Sequence, residues 1–303
     1  MENIIRHRKT GQHLGNNNLE RIRSLLCTIL SFLLSLAFVG LAVLFVIQTS
    51  CFSRASFYRN LLSSLYYQNV LSEIYKSAES ITIPTGLSIE VLDNTIESYE
   101  VHQDINDQID AGIKGEAYHT DTSLLESRLE KNINDYLTGE GIQPDQEQNK
   151  NIGLYITSIA NEYIDIIKIP LFNSLISTRK TYHKIFSIGL TICILTIIIT
   201  LSMLLKMNRW VHRALRYMTY STTAAAFMIA TIPGILLYSG IYQRIQLSPH
   251  YFYNLAMTFI TNTLKMMLHY SICLAAISVF LMITIKIMKI KLTQLITFRN
   301  IQC

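Results

Sequence analysis

The fold of this chain is decided by an uninterrupted apolar run near its N-terminus, Ser24–Ile47, which reads SLLCTILSFLLSLAFVGLAVLFVI. No charged residue occurs between Ser24 and Ser53. A helix of about 20 apolar residues crosses the roughly 30 Å hydrocarbon core of a bilayer. The run is longer than the apolar part of a signal peptide, which has about 7–15 residues, so it predicts an uncleaved membrane anchor.

An alternative for this end of the chain is lipidation at Cys51, because Gln48–Cys51 reads QTSC, faintly like a lipoprotein cleavage site. Gln48 stands where an aliphatic residue is expected, which argues against that alternative. Of the five cysteines, only Cys51 falls on the outer side of the predicted topology, so the outer domain has no disulfide, and no Asn-x-Ser/Thr sequon occurs. Both absences favour a bacterial plasma membrane over a eukaryotic secretory route.

Three further charge-poor runs are long enough to span a membrane: Ile185–Leu205, Tyr217–Ile241 and Met266–Ile285. Hydrophobic residues make up 50% of the chain and charged residues only 16%, which argues against two soluble domains. We therefore predict an all-α polytopic membrane protein with four transmembrane helices. The predicted segments are a basic tail at 1–23, a first span at 24–49, an acidic helical domain at 50–183, a second span at 184–206, a loop at 207–216, a third span at 217–241, an outer loop and interfacial helix start at 242–264, a fourth span at 265–286 and a tail at 287–303.

Orientation follows from the Lys and Arg residues beside the spans, which are enriched on the cytoplasmic side. Three segments are rich in them: Arg6, Arg8, Lys9, Arg21 and Arg23; Lys206, Arg209, Arg213 and Arg216; and Lys286, Lys289, Lys291 and Arg299. The outer loop Tyr242–Leu255 has only Arg244. This distribution predicts that both termini are cytoplasmic and that the acidic domain faces out.

The insert between the first two spans, Phe52–His183, is the main polar region. It holds 19 of the 21 acidic residues against 10 of the 26 basic ones, a net charge of −9. Apolar residues recur at helical spacing in four segments, so we predict a four-helix bundle whose first and last helices continue spans one and two. Its helices are expected to start near Ser88, at Asp121 or Thr122, and at Pro144. A short hairpin near Ile81–Ile83 is the only strand candidate.

Prolines and small residues predict the geometry of individual helices. Pro170 should interrupt the last helix of the insert, and Pro233 should bend the third span, because proline lacks the donor N–H. Ala226, Ala230 and Gly234 recur every four residues, a spacing that lets helix backbones approach closely. Trp210, the single tryptophan, suits an interfacial anchor.

A polar set in the last apolar segment is the candidate intramembrane site. Asn262, Lys265 and His269 are spaced i, i+3 and i+7, so they share a helix face. Ionisable groups at membrane depth are costly and are often functional. One interpretation is a proton- or anion-responsive site; the other is that Lys265 extends to the headgroups while His269 bonds a neighbouring helix.

Other candidate sites in the insert are weaker. His102 and Asp104, like His119 and Asp121, could bind a metal only if their segments were extended, since helical positions i and i+2 point apart. The acidic run could attract a cation, with a solvated face as the alternative; its residues are Glu97, Glu100, Asp104, Asp107 and Asp110. No phosphate-binding loop, nucleophile elbow or metalloprotease motif occurs, and no cofactor or nucleic acid is implied.

Two function classes remain open from the sequence. The first is a non-enzymatic sensor or accessory subunit, in which the outer domain binds a ligand or partner and couples to another membrane protein or to a second copy. The second is a transport or channel subunit, with Asn262, Lys265 and His269 along a polar path. The lipid bilayer is the partner common to both, and an enzyme is the third alternative.

Overall fold

The computed structural model describes the backbone of residues 2–114, 116–170, 172–208 and 210–301. Within these ranges, the side chains of 2–20, 51, 173–176, 179–180 and 292–301 are not described. The basic residues Arg6, Arg8, Lys9, Arg209 and Arg299, which contribute to the predicted orientation, therefore lie outside the described side chains.

Over the described residues the chain is all-helical and contains no strand, as predicted, so the hairpin candidate near Ile81–Ile83 is wrong. Three short 3₁₀ turns, Ile83–Thr85, Ile89–Leu92 and Ile241–Arg244, accompany the longer helices. The α-helices are α1 Glu2–Cys51, α2 Arg54–Ser63, α3 Tyr66–Thr82, α4 Ser98–Lys114, α5 Ser123–Gly139, α6 Gln146–Ile167, α7 Phe172–Met207, α8 Val211–Ser239 and α9 His250–Ile301.

Four segments are long and apolar enough to cross a membrane: Arg21–Ser50, Thr181–Met207, Val211–Ser239 and His250–Lys291. They match the four predicted spans in order and number. Their surfaces carry large exposed apolar side chains, such as Phe227 at 71% and Phe280 at 68% exposure. Such surfaces are unfavourable in water and suit contact with lipid.

The first and last helices extend beyond the predicted spans. The backbone of α1 is helical from Glu2, so the helix includes the predicted basic tail, and α9 continues to Ile301 instead of ending near Ile285. Neither helix contains a proline, so each of their residues retains the backbone N–H that a helix needs.

The chain divides into two compact units, and the first comprises Met1–Ser53, His183–Arg244 and Ile260–Cys303. Hydroxyl groups link its helices. The Ser31 hydroxyl on α1 donates to the carbonyl of Tyr217 on α8 at 2.9 Å. The hydroxyls of Ser50 on α1 and Thr263 on α9 lie 2.6 Å apart. In a bilayer, an apolar side chain gains little by moving from lipid to a neighbouring helix, so interhelical hydrogen bonds of this kind contribute to helix association.

Glycines set the distance between α1 and α7 in this unit. A Cβ placed on Gly189 would lie 3.1 Å from Leu44 Cδ1, and one on Gly40 would lie 3.3 Å from Cys193 Sγ. Both distances are tighter than ordinary van der Waals contact. The absence of side chains at these two positions therefore permits the close approach.

The second unit comprises Arg54–Tyr182 and Ile245–Phe259. Its core is built from the apolar faces predicted by the helical periodicity. In α5 the four apolar residues that recur every four positions are all buried: Leu125, Leu129, Ile133 and Leu137. Tyr66 and Ile167, from α3 and α6, are both fully buried in the same core.

The helices of unit 2 are more broken than predicted. The chain leaves α1 at Cys51 and begins α2 at Arg54, and Leu65 separates α2 from α3 with a left-handed backbone (φ 54°). The first helix of the insert is therefore not a continuation of span one. The predicted second helix also divides, since Ser88 caps only the 3₁₀ turn and α4 begins at Ser98. Unit 2 thus has five α-helices of its own, α2–α6, among its described residues.

The start of α9 contributes to unit 2, a role that the sequence does not indicate. Tyr251 and Leu255 are buried in the unit-2 core, at 7% and 2% exposure. The Tyr251 hydroxyl donates to the carbonyl of Ile166 at 3.3 Å. The prediction that this segment is an interfacial helix start thus misses its packing against α6.

Candidate functional site

Unit 2 contains a concave site, a cavity of about 480 Å³. It lies where the turn after α3 meets the connection from the end of α5 to the start of α6. Its lining comes from the segments Thr85–Leu87, Tyr136–Leu137, Ile142–Pro144 and Gln148–Tyr155. A volume of this size falls within the range of about 300–1,000 Å³ that is usual for small-molecule sites.

Local sequence explains why the chain turns at two of these places. Gly86 has φ 78° and Gly141 has φ 69°, a left-handed backbone that glycine adopts without steric cost. After α5, the N–H of Ile142 donates to the carbonyl of Leu137 at 2.9 Å. This bond satisfies one of the carbonyls that a helix end leaves free.

The third wall is fixed by the start of α6. The Asp145 carboxylate accepts from the N–H of Gln148 at 2.7 Å, and the Gln148 side chain accepts from the N–H of Asp145 at 2.9 Å. This reciprocal capping box holds the first turn of the helix. Gln148 is therefore fixed at the cavity rim. The sequence predicts that this helix begins at Pro144, one position before the capping residue Asp145.

The lining of the cavity is uncharged. It combines apolar side chains, such as Leu87 and Ile152, with the hydroxyl of Thr85 and the amides of Gln148 and Asn151. Tyr155 reaches the buried interior, where its hydroxyl lies 2.7 Å from that of Thr82. The site therefore suits a ligand that is partly apolar and forms neutral hydrogen bonds.

The acidic run on α4 is engaged within the protein. Asp104 accepts two hydrogen bonds, from the hydroxyl of Tyr118 at 2.9 Å and from that of Tyr163 at 2.6 Å. The pKa of both tyrosines is raised above its ordinary value. Burial is the larger cause, and the hydrogen bond to the Asp104 carboxylate is the second. The two phenols thus stay neutral donors at physiological pH.

Three other carboxylates of the run are paired with arginine, and the first of them, Glu97, lies 3.3 Å from Arg128 Nη2. Glu100 accepts from Arg128 at 2.9 Å, and Asp110 pairs with Arg54 and accepts from the Tyr58 hydroxyl at 2.8 Å. These bonds join α4 to α5 and α2. Glu100, Asp104 and Asp110 therefore brace unit 2 internally, whereas Glu97 and Asp107 are exposed, as expected for a solvated face.

The histidine pairs do not form metal sites within the described residues, where no group of three His, Cys, Asp or Glu side chains converges. His102 is helical and stacks on Tyr67, with ring centroids 4.0 Å apart and planes inclined by 20°. Burial raises the pKa of Tyr67 to about 12. His119 is exposed in the irregular segment before α5.

The polar set of α9 lies in unit 1. Lys265 and His269 are exposed, Asn262 is half-buried, and the His269 Nδ1 lies 2.7 Å from the carbonyl of Lys265 in its own helix. Another face of α9 bonds α1 through Thr263.

Of the small residues that recur every four positions on α8, the first, Ala226, contacts a neighbouring helix closely. Ala226 is buried, and its carbonyl accepts from the Ser271 hydroxyl of α9 at 2.8 Å. Ala230 is half-buried, and a Cβ added to Gly234 would meet nothing within 4 Å. The close backbone approach instead occurs at Gly40 and Gly189, which the sequence analysis did not single out.

The two prolines occupy different settings. Pro170 lies between α6, which ends at Ile167, and α7, which begins at Phe172. Pro233 lies inside α8, which is continuous from Val211 to Ser239.

The exposed Trp210 occupies the position just before α8.

Comparison with known proteins gives no match: no protein family, no curated protein and no solved structure resembles the chain. Inference about function therefore depends on the geometry and chemistry described above.

Proposed function

We propose that the chain is a non-enzymatic plasma-membrane protein that acts as a sensor or accessory subunit. Unit 2 binds a ligand or partner outside the cytoplasm, and the bound state is passed to another membrane protein. The observation that carries this proposal is the uncharged cavity of about 480 Å³ at the junction of α3, α5 and α6.

The chemistry of the cavity defines the ligand class. The insert carries a net charge of −9, yet no Asp, Glu, Lys or Arg lines the cavity. The acidic surface of the insert repels anions. The cavity itself has no carboxylate that would bind a cation. The ligand is therefore a small uncharged molecule or peptide segment that combines apolar surface with amide or hydroxyl groups.

The ligand test uses one substitution and a matched control on α6. Asn151→Phe places a ring in the cavity, whereas Asn161→Phe makes the same change at an exposed position of α6 outside the lining. The full chain in nanodiscs is screened against a library of uncharged small molecules by thermal unfolding. A ligand at 100 times its Kd stabilises the folded state by about 2.7 kcal/mol.

Compounds that stabilise the wild type and Asn161→Phe, and leave Asn151→Phe unchanged, would support the proposal. Equal stabilisation of all three proteins would contradict it, because the cavity would then have no part in binding.

Orientation is the second part of the proposal. Basic residues beside the spans support cytoplasmic termini and an outer unit 2. A reporter that is active only in the cytoplasm should be active when fused at Cys303 and inactive when inserted at Gly141. Activity at both positions would contradict the proposed topology.

Output must pass to a partner, because α7 and α8 are separated only by residues 208–210, too few for a domain. Affinity purification of the full chain from its native membrane should therefore recover a second membrane protein in stoichiometric amount. Recovery of the chain alone, as a single copy, would argue against a signalling or accessory role.

A transport or channel subunit is the alternative, and the exposure of Lys265 and His269 is the observation that favours it. Exposed ionisable side chains on an apolar helix are costly next to lipid, so a second copy or another protein would cover them. Conductance by self-assembled rings in reconstituted membranes, lost on His269→Gln, would favour this alternative.

A further inference from the structure

A second cavity, of about 530 Å³, lies in unit 1. It is formed where the apolar part of α1 starts, α7 ends and α8 begins. Arg23, Arg213 and Arg216 contribute three guanidinium groups to its lining. Asn208 and Cys27 are buried in its interior, at 7% and 1% exposure.

No carboxylate among the described side chains balances the positive charge of this cavity. The sequence has no Asp or Glu after Asp165 and none between Glu20 and Glu73, so α7, α8 and α9 supply no carboxylate at this end. Glu20 lies one turn before Arg23, and its side chain is outside the described residues. None of the three arginines forms an ion pair with a described side chain.

Part of the lining is held in place before any ligand binds. Arg216 Nε donates to the Tyr220 hydroxyl at 2.7 Å, and its guanidinium carbon lies 5.7 Å from the centroid of that ring. The terminal nitrogens of Arg216 can then bind an anion through two parallel bonds. The hydroxyls of Ser24 and Tyr217, 3.4 Å apart, add neutral donors on the α1 side.

The start of α8 adds to the positive potential. The residue before its first turn is Trp210, whose side chain forms no capping bond. The first backbone N–H groups of a helix carry partial positive charge and favour an anion. Arg213 lies within the same turn.

We propose that this cavity binds the phosphate group of an anionic phospholipid. Three guanidinium groups with hydroxyl donors match the oxygen atoms of a phosphate better than those of a carboxylate, which has fewer acceptors. The cavity lies at the end of three apolar helices long enough to span a bilayer. A lipid whose headgroup enters the cavity keeps its acyl chains beside those helices, as basic pockets between transmembrane helices bind acidic lipids.

The test measures lipid retention by the full chain. The protein is purified with equal amounts of phosphatidylglycerol and phosphatidylcholine of the same acyl chains, and bound lipid is counted by native mass spectrometry. Wild type should retain phosphatidylglycerol preferentially. The double variant Arg213→Gln with Arg216→Gln should lose this preference by roughly tenfold or more, because it removes the charge-assisted hydrogen bonds that these guanidinium groups form to the phosphate.

The matched control is Lys286→Gln with Lys291→Gln, which removes the same charge from exposed positions of α9 outside the cavity. Its lipid preference should stay within about twofold of wild type, as expected for well-screened surface charges. A third variant, Thr28→Phe, keeps every arginine and places a ring in the lining. It should also lose the preference, so the test does not depend on whether the arginine variant folds.

Retention unchanged in both the arginine variant and Thr28→Phe would overturn the proposal. A control variant that loses retention as strongly as the arginine variant would do the same. Inorganic phosphate distinguishes the source of the anion. If it raises the unfolding temperature as much as short-chain phosphatidylglycerol does, the occupant is a soluble phosphate and the lipid assignment is wrong.

Discussion

Two buried tyrosines of unit 2 should respond in opposite directions to the same substitution. Tyr163 donates to Asp104 at 2.6 Å. The hydroxyl of Tyr66 is fully buried and has no hydrogen-bond partner among the described residues. Replacement by Phe removes one oxygen atom in each case and leaves the ring in place.

The magnitudes follow from the two environments. A hydrogen bond to a charged group contributes about 1.5–3 kcal/mol, so Tyr163→Phe should lower the free energy of unfolding by that amount. Burying a hydroxyl without a partner costs about 1–3 kcal/mol, so Tyr66→Phe should raise the free energy of unfolding by about 1 kcal/mol after partial relaxation. Tyr99→Phe is the control, because that side chain is 62% exposed and its change should be near zero.

The assay is urea unfolding of the full chain in detergent, followed by pulse proteolysis at sites in unit 2. The urea concentration at the unfolding midpoint should be highest for Tyr66→Phe and lowest for Tyr163→Phe. Wild type and Tyr99→Phe should share an intermediate midpoint. A loss of stability in Tyr66→Phe equal to that in Tyr163→Phe would refute the reasoning, because it would mean that the Tyr66 hydroxyl is bonded in the folded protein.

Three further outcomes are expected. Gly189→Leu should lower the stability of unit 1 by about 1–3 kcal/mol, because the new side chain clashes with Leu44. Gly234 has open space around it, so Gly234→Leu should change that stability by less than about 0.5 kcal/mol. Thermal aggregation assays compare the two variants. Asp145→Ala should cost about 1 kcal/mol by removing the cap of α6, measured by urea unfolding, and no change would argue against the capping box. The pKa of Tyr67 is raised from 10.0 to about 12 in the folded state, so the contribution of its neutral phenol to the free energy of unfolding is complete below pH 10 and is lost as the pH rises to about 12. The helical circular dichroism signal should therefore fall between these pH values, and less steeply in Tyr67→Phe. An equally steep fall in that variant would exclude Tyr67 as a cause.

Periodicity predicted the helices well where one apolar face meets one core. The row Leu125, Leu129, Ile133 and Leu137 shows this, since all four side chains are buried as the spacing requires. Periodicity failed where the backbone turns without a Gly or Pro signal. Leu65 takes a left-handed conformation that is rare for such a residue, so the break between α2 and α3 had no local mark.

The sites were less accessible to sequence reasoning than the helices. Asp104 and its two tyrosine donors are separated by 14 and 59 positions, so only the tertiary fold brings them together. The two cavities likewise arise from segments that are distant in sequence. Arg213 and Arg216 appeared in the sequence only as markers of orientation, because nothing local indicates that Arg23 faces the same space.

The discontinuity of unit 2 has a consequence for biosynthesis. Its last segment, Ile245–Phe259, is translated only after α7 and α8, although Tyr251 and Leu255 complete its core. At about 5–20 residues per second, the ribosome needs on the order of ten seconds to reach this segment after finishing α6. During that interval the surface of Tyr66 that the Tyr251 ring later covers stays exposed and is accessible to chaperones.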